Sequence, residues 1–154
     1  MMRRLALSAA LLLALALPAC AAAEKDPVNI TADQFVVDDT SRVATFTGGV
    51  VVKRKKLTVW APKVVVEYGE AGPSSIKSFV ASGGVRIKTE DQDATGDRAV
   101  YDPLAETLRI TGNVMVINAS STVGSGDLVI DLNANTTVFT GGGNGRVTGI
   151  FTPQ

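Results

Sequence analysis

The chain has 154 residues, 45% hydrophobic but only 5% aromatic, with 15 Lys and Arg against 15 Asp and Glu and no histidine. Balanced charge argues against nucleic acid as a main partner, because phosphate binding calls for a basic excess. The missing histidine removes the usual general base and a common metal ligand.

The first segment, 1–23, carries Arg3 and Arg4, an apolar run over 5–17, then Pro18 and a string of small residues. It reads as a secretory signal peptide, too short to span a membrane comfortably, with Ala21-Ala22-Ala23 as the cleavage site. Leu17-Pro18-Ala19-Cys20 offers the alternative of a lipidated cysteine. Cleavage after Ala23 leaves 13 basic and 15 acidic side chains, a net charge of −2, and no cysteine for a disulfide. The expected organisation is a signal peptide over 1–23 and one β domain over 24–154.

From Val28 onward no stretch has helical periodicity. Short β-type runs alternate with Gly, Asn, Asp and Pro. Strands are expected over 28–37, 42–47 and 50–53, with a turn at 38–41 and a glycine corner at Gly48-Gly49. After the basic turn Arg54-Lys55-Lys56, strands over 57–60 and 63–68 flank Ala61-Pro62, and 69–75 reads as the longest loop. Strands over 76–82 and 85–89 flank Gly83-Gly84. Strands over 98–101, 107–111 and 114–118 follow, with a turn at Asp102-Pro103 and a corner at Gly112-Asn113. The chain closes with strands over 127–132, 136–140 and 146–151, the last after a glycine cluster at 141–145.

The strand-corner-strand pattern repeats. Asp33, Lys63, Asp97 and Asp127 are read as one place in four units, spaced 30, 34 and 30 residues apart. Each unit reaches a corner with a small or hydroxyl residue before glycine, at Thr47-Gly48, Ser82-Gly83, Thr111-Gly112 and Thr140-Gly141. Such units cannot bury an apolar face alone. Stacked, they predict an all-β fold, an elongated β-jellyroll or twisted antiparallel sandwich with an exposed edge at each end.

No spacing points to catalysis, and the repeated aspartates read as strand-start or turn residues. The basic turn is either a solvated surface or a contact for phosphorylated headgroups. Alternation marks Val50 and Val52, Val64 and Val66, Val85 and Ile87, Leu108 and Ile110, Val114 and Val116, and Leu128 and Ile130 as inward. That face is either an ordinary packed core or an open trough for acyl chains, each buried CH₂ contributing about 0.8 kcal/mol.

Several segments carry a family resemblance: Pro27-Val28-Asn29-Ile30-Thr31-Ala32-Asp33, Phe46-Thr47-Gly48-Gly49-Val50, Gly96-Asp97-Arg98-Ala99-Val100-Tyr101-Asp102, Thr111-Gly112-Asn113-Val114 and Gly126-Asp127-Leu128-Val129-Ile130-Asp131-Leu132. In order and spacing the set resembles the OstA-like family, over about 27–132. Together the motifs look like its periplasmic lipopolysaccharide-transport type, rather than the barrel-bearing outer-membrane member or the inner-membrane member with its uncleaved helix. The resemblance implies a non-enzymatic β-jellyroll in the periplasm, without cofactor. Such a protein binds the lipid A part of lipopolysaccharide in a hydrophobic interior. It joins copies head to tail and meets inner-membrane and outer-membrane partners.

The expected lipid lining is Phe35, Phe46, Val52, Val66, Ile87, Leu108, Ile110, Val116 and Ile130, the inward parity being open near Phe35 and Phe46. The expected edge interface is Ile30, Ala32 and Val36 at one end and Val147, Ile150 and Phe151 at the other. Ile110→Asp is expected to abolish lipid binding with the fold retained. The competing readings are a secreted β-solenoid scaffold or adhesin with a dry core, and a carbohydrate-active β protein, for which few aromatics are present.

Overall fold

A computed structural model describes residues 27–143 and 145–153. The expected signal peptide and Cys20 lie outside them. Ten strands follow one another: β1 (Asn29–Thr31), β2 (Gln34–Asp38), β3 (Val43–Arg54), β4 (Leu57–Gly69), β5 (Gly72–Lys88), β6 (Asp93–Asp102), β7 (Thr107–Ile117), β8 (Ser121–Asp131), β9 (Thr136–Thr140) and β10 (Thr148–Phe151). They form one antiparallel sheet. β3 to β8 lie side by side in sequence order, β1 and β2 share the free edge of β3, and β9 and β10 share the free edge of β8.

The six long strands are not straight. Their pairing shifts at Thr47/Val50, Trp60/Lys63, Ser82/Val85, Thr95/Arg98 and Thr111/Val114, and these shifts line up across the sheet. Each bulge bends its strand. Together they crease the sheet into two halves that face one another. The strand pairs expected over 42–47 and 50–53, or 107–111 and 114–118, are thus the two arms of single long strands, and the glycine corners are the crease.

The crease has a repeat of its own. By register, Gln34, Thr47, Lys63, Ser82, Arg98, Thr111, Asp127 and Thr140 form one cross-strand row. Lys63 and Asp127 are therefore the counterparts of Gln34 and Arg98. Asp33 and Asp97 sit one residue earlier, where the other units carry Pro62 and Gly126, so the four-residue register expected above is corrected by one position in half of the units. At Gly112 the crease needs glycine twice over. Its φ is +79°, and a Cβ there would lie 2.8 Å from the Asp97 Cβ. Asn113 follows at φ +49° and its Nδ2 donates to Asp97 Oδ2 at 3.1 Å.

Three hairpin tips share one turn. Asp38, Asp102 and Asp131 each accept hydrogen bonds at Oδ1 from the backbone N–H groups two and three residues on. Arg42, Glu106 and Asn135 each close the turn with positive φ. This is the local chemistry for which aspartate is favoured in turns.

Four expectations change. The loop over 69–75 is a two-residue turn, because Gly69 pairs with Gly72, and residues 73–75 form a bulge of β5 that frees Pro73 from the ladder. β6 and β8 begin earlier than expected, at Asp93 and Ser121. Their first arms are small and polar, and they are held by pairing on both sides rather than by their own propensity. The N-terminal strand is split at the crease, with Asp33 N–H donating to Thr47 O and Gly48 O at 3.1 and 3.0 Å. Ala32 therefore lies between β1 and β2, and Val147 lies before β10.

Candidate lipid-binding cleft

Inward-facing side chains form rows that run the length of the sheet. Phe35, Phe46, Val64, Ala81, Ala99, Ile110, Leu128 and Phe139 are successive cross-strand partners in one half, beside the crease. Val37, Ala44, Val66, Phe79, Tyr101, Leu108, Ile130 and Thr137 form the next row out. In the other half Ile30, Val52, Val59, Ile87, Ala94, Val116, Val123 and Gly149 are aligned in the same way. Eight strands at about 4.8 Å spacing carry each row over about 34 Å.

The two halves meet at the crease. A Cβ built on Gly96 would lie 2.4 Å from Ile110 Cγ2, so the side chain of one half presses on the backbone of the other. Val50, Ile110 and Leu128 are each 1% exposed. One row further out the same strands are more open: Val52, Leu108 and Ile130 are only partly buried and pack against the central cluster. Exposure thus rises outward at Val52, Leu108 and Ile130, whereas Ala44, Val66, Tyr68, Ile87 and Val116 stay buried away from the crease. The cross-section is a V with a dry base whose mouth opens at those three positions. Among the described residues no polar or charged side chain is buried. The interior therefore offers mainly burial of apolar surface, with the Tyr68 hydroxyl donating to Asp39 Oδ1 at 2.8 Å near the hairpin tip.

The nine residues expected to line a lipid site all lie on this inward face. Phe35 and Phe46 settle the parity left open above: they are direct cross-strand partners, with rings stacked at 4.5 Å and 20°. Phe46 packs against the core, whereas Phe35, on the edge, is 56% exposed. Val66, Ile87, Ile110 and Val116 are buried. The expectation that Ile110→Asp leaves the fold intact is corrected by its place at the dry base, where a carboxylate has neither water nor a partner.

Phe79, Tyr101, Phe139, Leu57 and Val59 also reach the interior and were absent from the expected lining. Phe79 and Tyr101 are cross-strand partners with ring centroids 6.2 Å apart. Period-2 counting from Ala81 and Ala99 would have found both aromatics. Alanine marks an inward position only weakly, because it is small and only mildly apolar.

Of the expected edge residues, Ile30 and Phe151 share the inward parity, and Phe151 is 71% exposed at the end of the cleft. Val36 and Ile150 face outward and are exposed. β9 completes the C-terminal edge, which the sequence placed in β10 alone.

The outer surface carries cross-strand ion pairs among exposed apolar side chains such as Met115 and Ile117. Arg86 makes two contacts to Asp93 through Nε, at 3.0 and 3.2 Å, and another through Nη2. Arg109 holds Asp127 in the same way, through Nε at 3.1 Å and through Nη2. The Arg86 hydrogen bond holds the Asp93 carboxyl below the usual carboxylate range, against a smaller opposing effect of burial. Arg86 also lies 5.5 Å from the centroid of the Trp60 ring, on the face away from the cleft.

Comparison with known proteins agrees with this architecture. The crystal structure of LptH from Pseudomonas aeruginosa superposes with a TM-score of 0.72 over 83% of this chain and 96% of that one, at 18% identity. It is described as the LptA homologous periplasmic component of the conserved lipopolysaccharide transport device. No curated protein matches the chain by sequence. The family described as LptA/(LptD N-terminal domain) LPS transport protein matches residues 29–136, which span the sheet from β1 to the start of β9. The chain belongs to this family of lipopolysaccharide-transport proteins.

Proposed function

We propose that this chain is a non-enzymatic periplasmic carrier that holds lipopolysaccharide by its lipid A acyl chains and passes it along the cleft toward the outer membrane. The observation that carries the reading is the V-shaped apolar interior, which opens outward at Val52, Leu108 and Ile130 and among the described residues buries no side chain more polar than Tyr68. Val52, Leu108 and Ile130 are the walls an acyl chain meets first, and Ile110 with Leu128 forms the floor, with Phe46 near one end of that floor row. A few buried methylenes suffice to hold a chain, and a uniform row of apolar contacts lets it slide without a deep trap.

The edges support a bridge of copies. β1 and β2 run antiparallel to β3, and β9 and β10 run antiparallel to β8. Six alternating strands lie between, so β9 runs opposite to β2 and β10 opposite to β1. A second copy stacked along the rows meets the first by antiparallel pairing, with Phe139 of one opposite Phe35 of the next and Gly149 opposite Ile30. That register continues the inward rows unbroken, and a one-residue slip would reverse every side chain. Inner-membrane and outer-membrane members of the transport machinery are the partners at the two ends of such an array.

Native mass spectrometry of the purified protein, with and without lipopolysaccharide, tests the reading. The expected result is a lipopolysaccharide adduct and a ladder of oligomers. A protein that takes up no lipopolysaccharide under conditions that preserve its fold refutes it.

A further inference from the structure

The two lips of the cleft carry opposite charge. One lip is formed by the turns between β2 and β3, β4 and β5, β6 and β7, and β8 and β9. They hold Asp38, Asp39, Glu70, Asp102, Glu106 and Asp131 against Arg42 and, beside Gly69, Lys77. The other lip has a basic excess toward the N-terminal end of the sheet, where Lys53, Arg54, Lys55 and Lys56 follow one another and Lys88 ends the next strand but one, against Glu90, Asp91 and Asp93 after it. The tips on this lip are neighbours in space, since Lys56 Nζ lies 2.7 Å from Glu90 Oε2. Lys53, Thr58 and Lys88 are successive partners on the outward face. Arg54 is different: it pairs with Leu57 and shares the inward parity of Val50 and Val52. It is half-buried, with its strand's apolar wall directly below it.

We propose that this basic lip, with Arg54 on its inner side, is the subsite for the phosphate groups of a phosphorylated glycolipid whose acyl chains occupy the cleft. The proposal rests on the lipid-carrier reading above and adds the orientation of the cargo. Guanidinium pairs with phosphate through two parallel hydrogen bonds, and flexible lysine stems can fold over the lip to supply further charge. An acyl chain on Val52, Leu57 and Val59 brings its headgroup to the level of Arg54. The opposite lip repels phosphate. The lipid therefore enters with its phosphates on the lip between β3 and β6, and its sugars leave the cleft on that side.

The test uses the purified full-length chain in EDTA, so that no divalent cation can bridge phosphate to the acidic lip. Bisphosphoryl lipid A and the same lipid stripped of phosphate compete for a fluorescent acyl probe. The wild type is expected to bind the bisphosphoryl form about tenfold more tightly at low salt, the size of one charge-assisted contact, and the preference shrinks as salt is raised. The triple variant K53Q/R54Q/K88Q is expected to lose the preference while keeping its affinity for the stripped lipid. Lys63→Gln, on the outward face near the crease, is expected to keep both. Retained affinity for the stripped lipid also shows that the triple variant is folded. A triple variant that still prefers the bisphosphoryl form overturns the proposal and leaves the carrier reading standing. Failure of both lipids to bind the wild type overturns the carrier reading and the subsite with it. If the triple variant loses only its attachment to phosphatidylglycerol vesicles, the patch is a membrane contact and the subsite is overturned.

Discussion

The contact between Gly96 and Ile110 is the most direct physical link between the two halves of the sheet, and it can be measured. Gly96 lies in an ordinary β backbone, so Gly96→Ala carries no conformational strain, and it gains about 0.4–1 kcal/mol from a less flexible unfolded chain. Against this, the new Cβ would lie 2.4 Å from Ile110 Cγ2, and Ile110, at 1% exposure, has nowhere to swing. Overpacking of this kind costs about 1–3 kcal/mol, for a net loss of about 1–2 kcal/mol. With a urea m-value of about 2 kcal/mol/M, the unfolding midpoint falls by about 0.5–1 M. Ile110→Ala alone leaves a cavity at the floor and costs about 2–5 kcal/mol. The double variant G96A/I110A removes the clash, and its added methyl partly fills the cavity. Its loss is expected to fall short of the sum of the two single losses by about 1 kcal/mol or more. The assay is urea unfolding followed by circular dichroism. Additive losses refute the argument that the halves touch here, and with it the dry base of the V.

Three further outcomes follow from the same geometry. Ile110→Asp is expected to unfold the domain, by more than about 4 kcal/mol, whereas Leu108→Asp, one row nearer the mouth, retains the fold and loses lipid binding; circular dichroism paired with a binding assay separates them, and a folded Ile110→Asp protein refutes the assignment of floor and wall. Asp93 and Asp38 have carboxyls held below the usual range, the first by the Arg86 hydrogen bond, the second by hydrogen bonds from the Ser41 side chain, the Ser41 backbone and the Thr40 backbone. Their stabilisation is complete above ordinary carboxylate pKa values of about 4 and is lost as pH falls through the depressed folded values, so the melting temperature drops in acid. Asp93→Asn is expected to flatten that drop, and an unchanged slope would show that the pair contributes nothing. Phe139→Glu, at the C-terminal edge, is expected to remove the oligomer ladder and lower the melting temperature while the monomer keeps its β circular-dichroism spectrum; a full ladder in this variant argues against the proposed register.

Much of this molecule was legible from local pattern alone. Alternation at Leu108 and Ile110, or at Val114 and Val116, fixes which side chains share a face, because the pleat has a period of two wherever a strand is straight. The glycine corners mark where that period breaks, and aspartates mark three of the hairpin turns. Family membership was also legible, since ordered motifs around the crease recur with their spacing. Other features were not local. The first arms of β6 and β8 lack apolar character and become strands only because neighbours on both sides supply their hydrogen-bond partners. Asp33 and Asp97 could not be told from Lys63 and Asp127 until pairing assigned each to the crease or to the row beside it. The depth of Ile110 and the openness of Leu108 are equally apolar in sequence. Only the folding of one half-sheet over the other, at the backbone of Gly96, makes the first a floor and the second a wall.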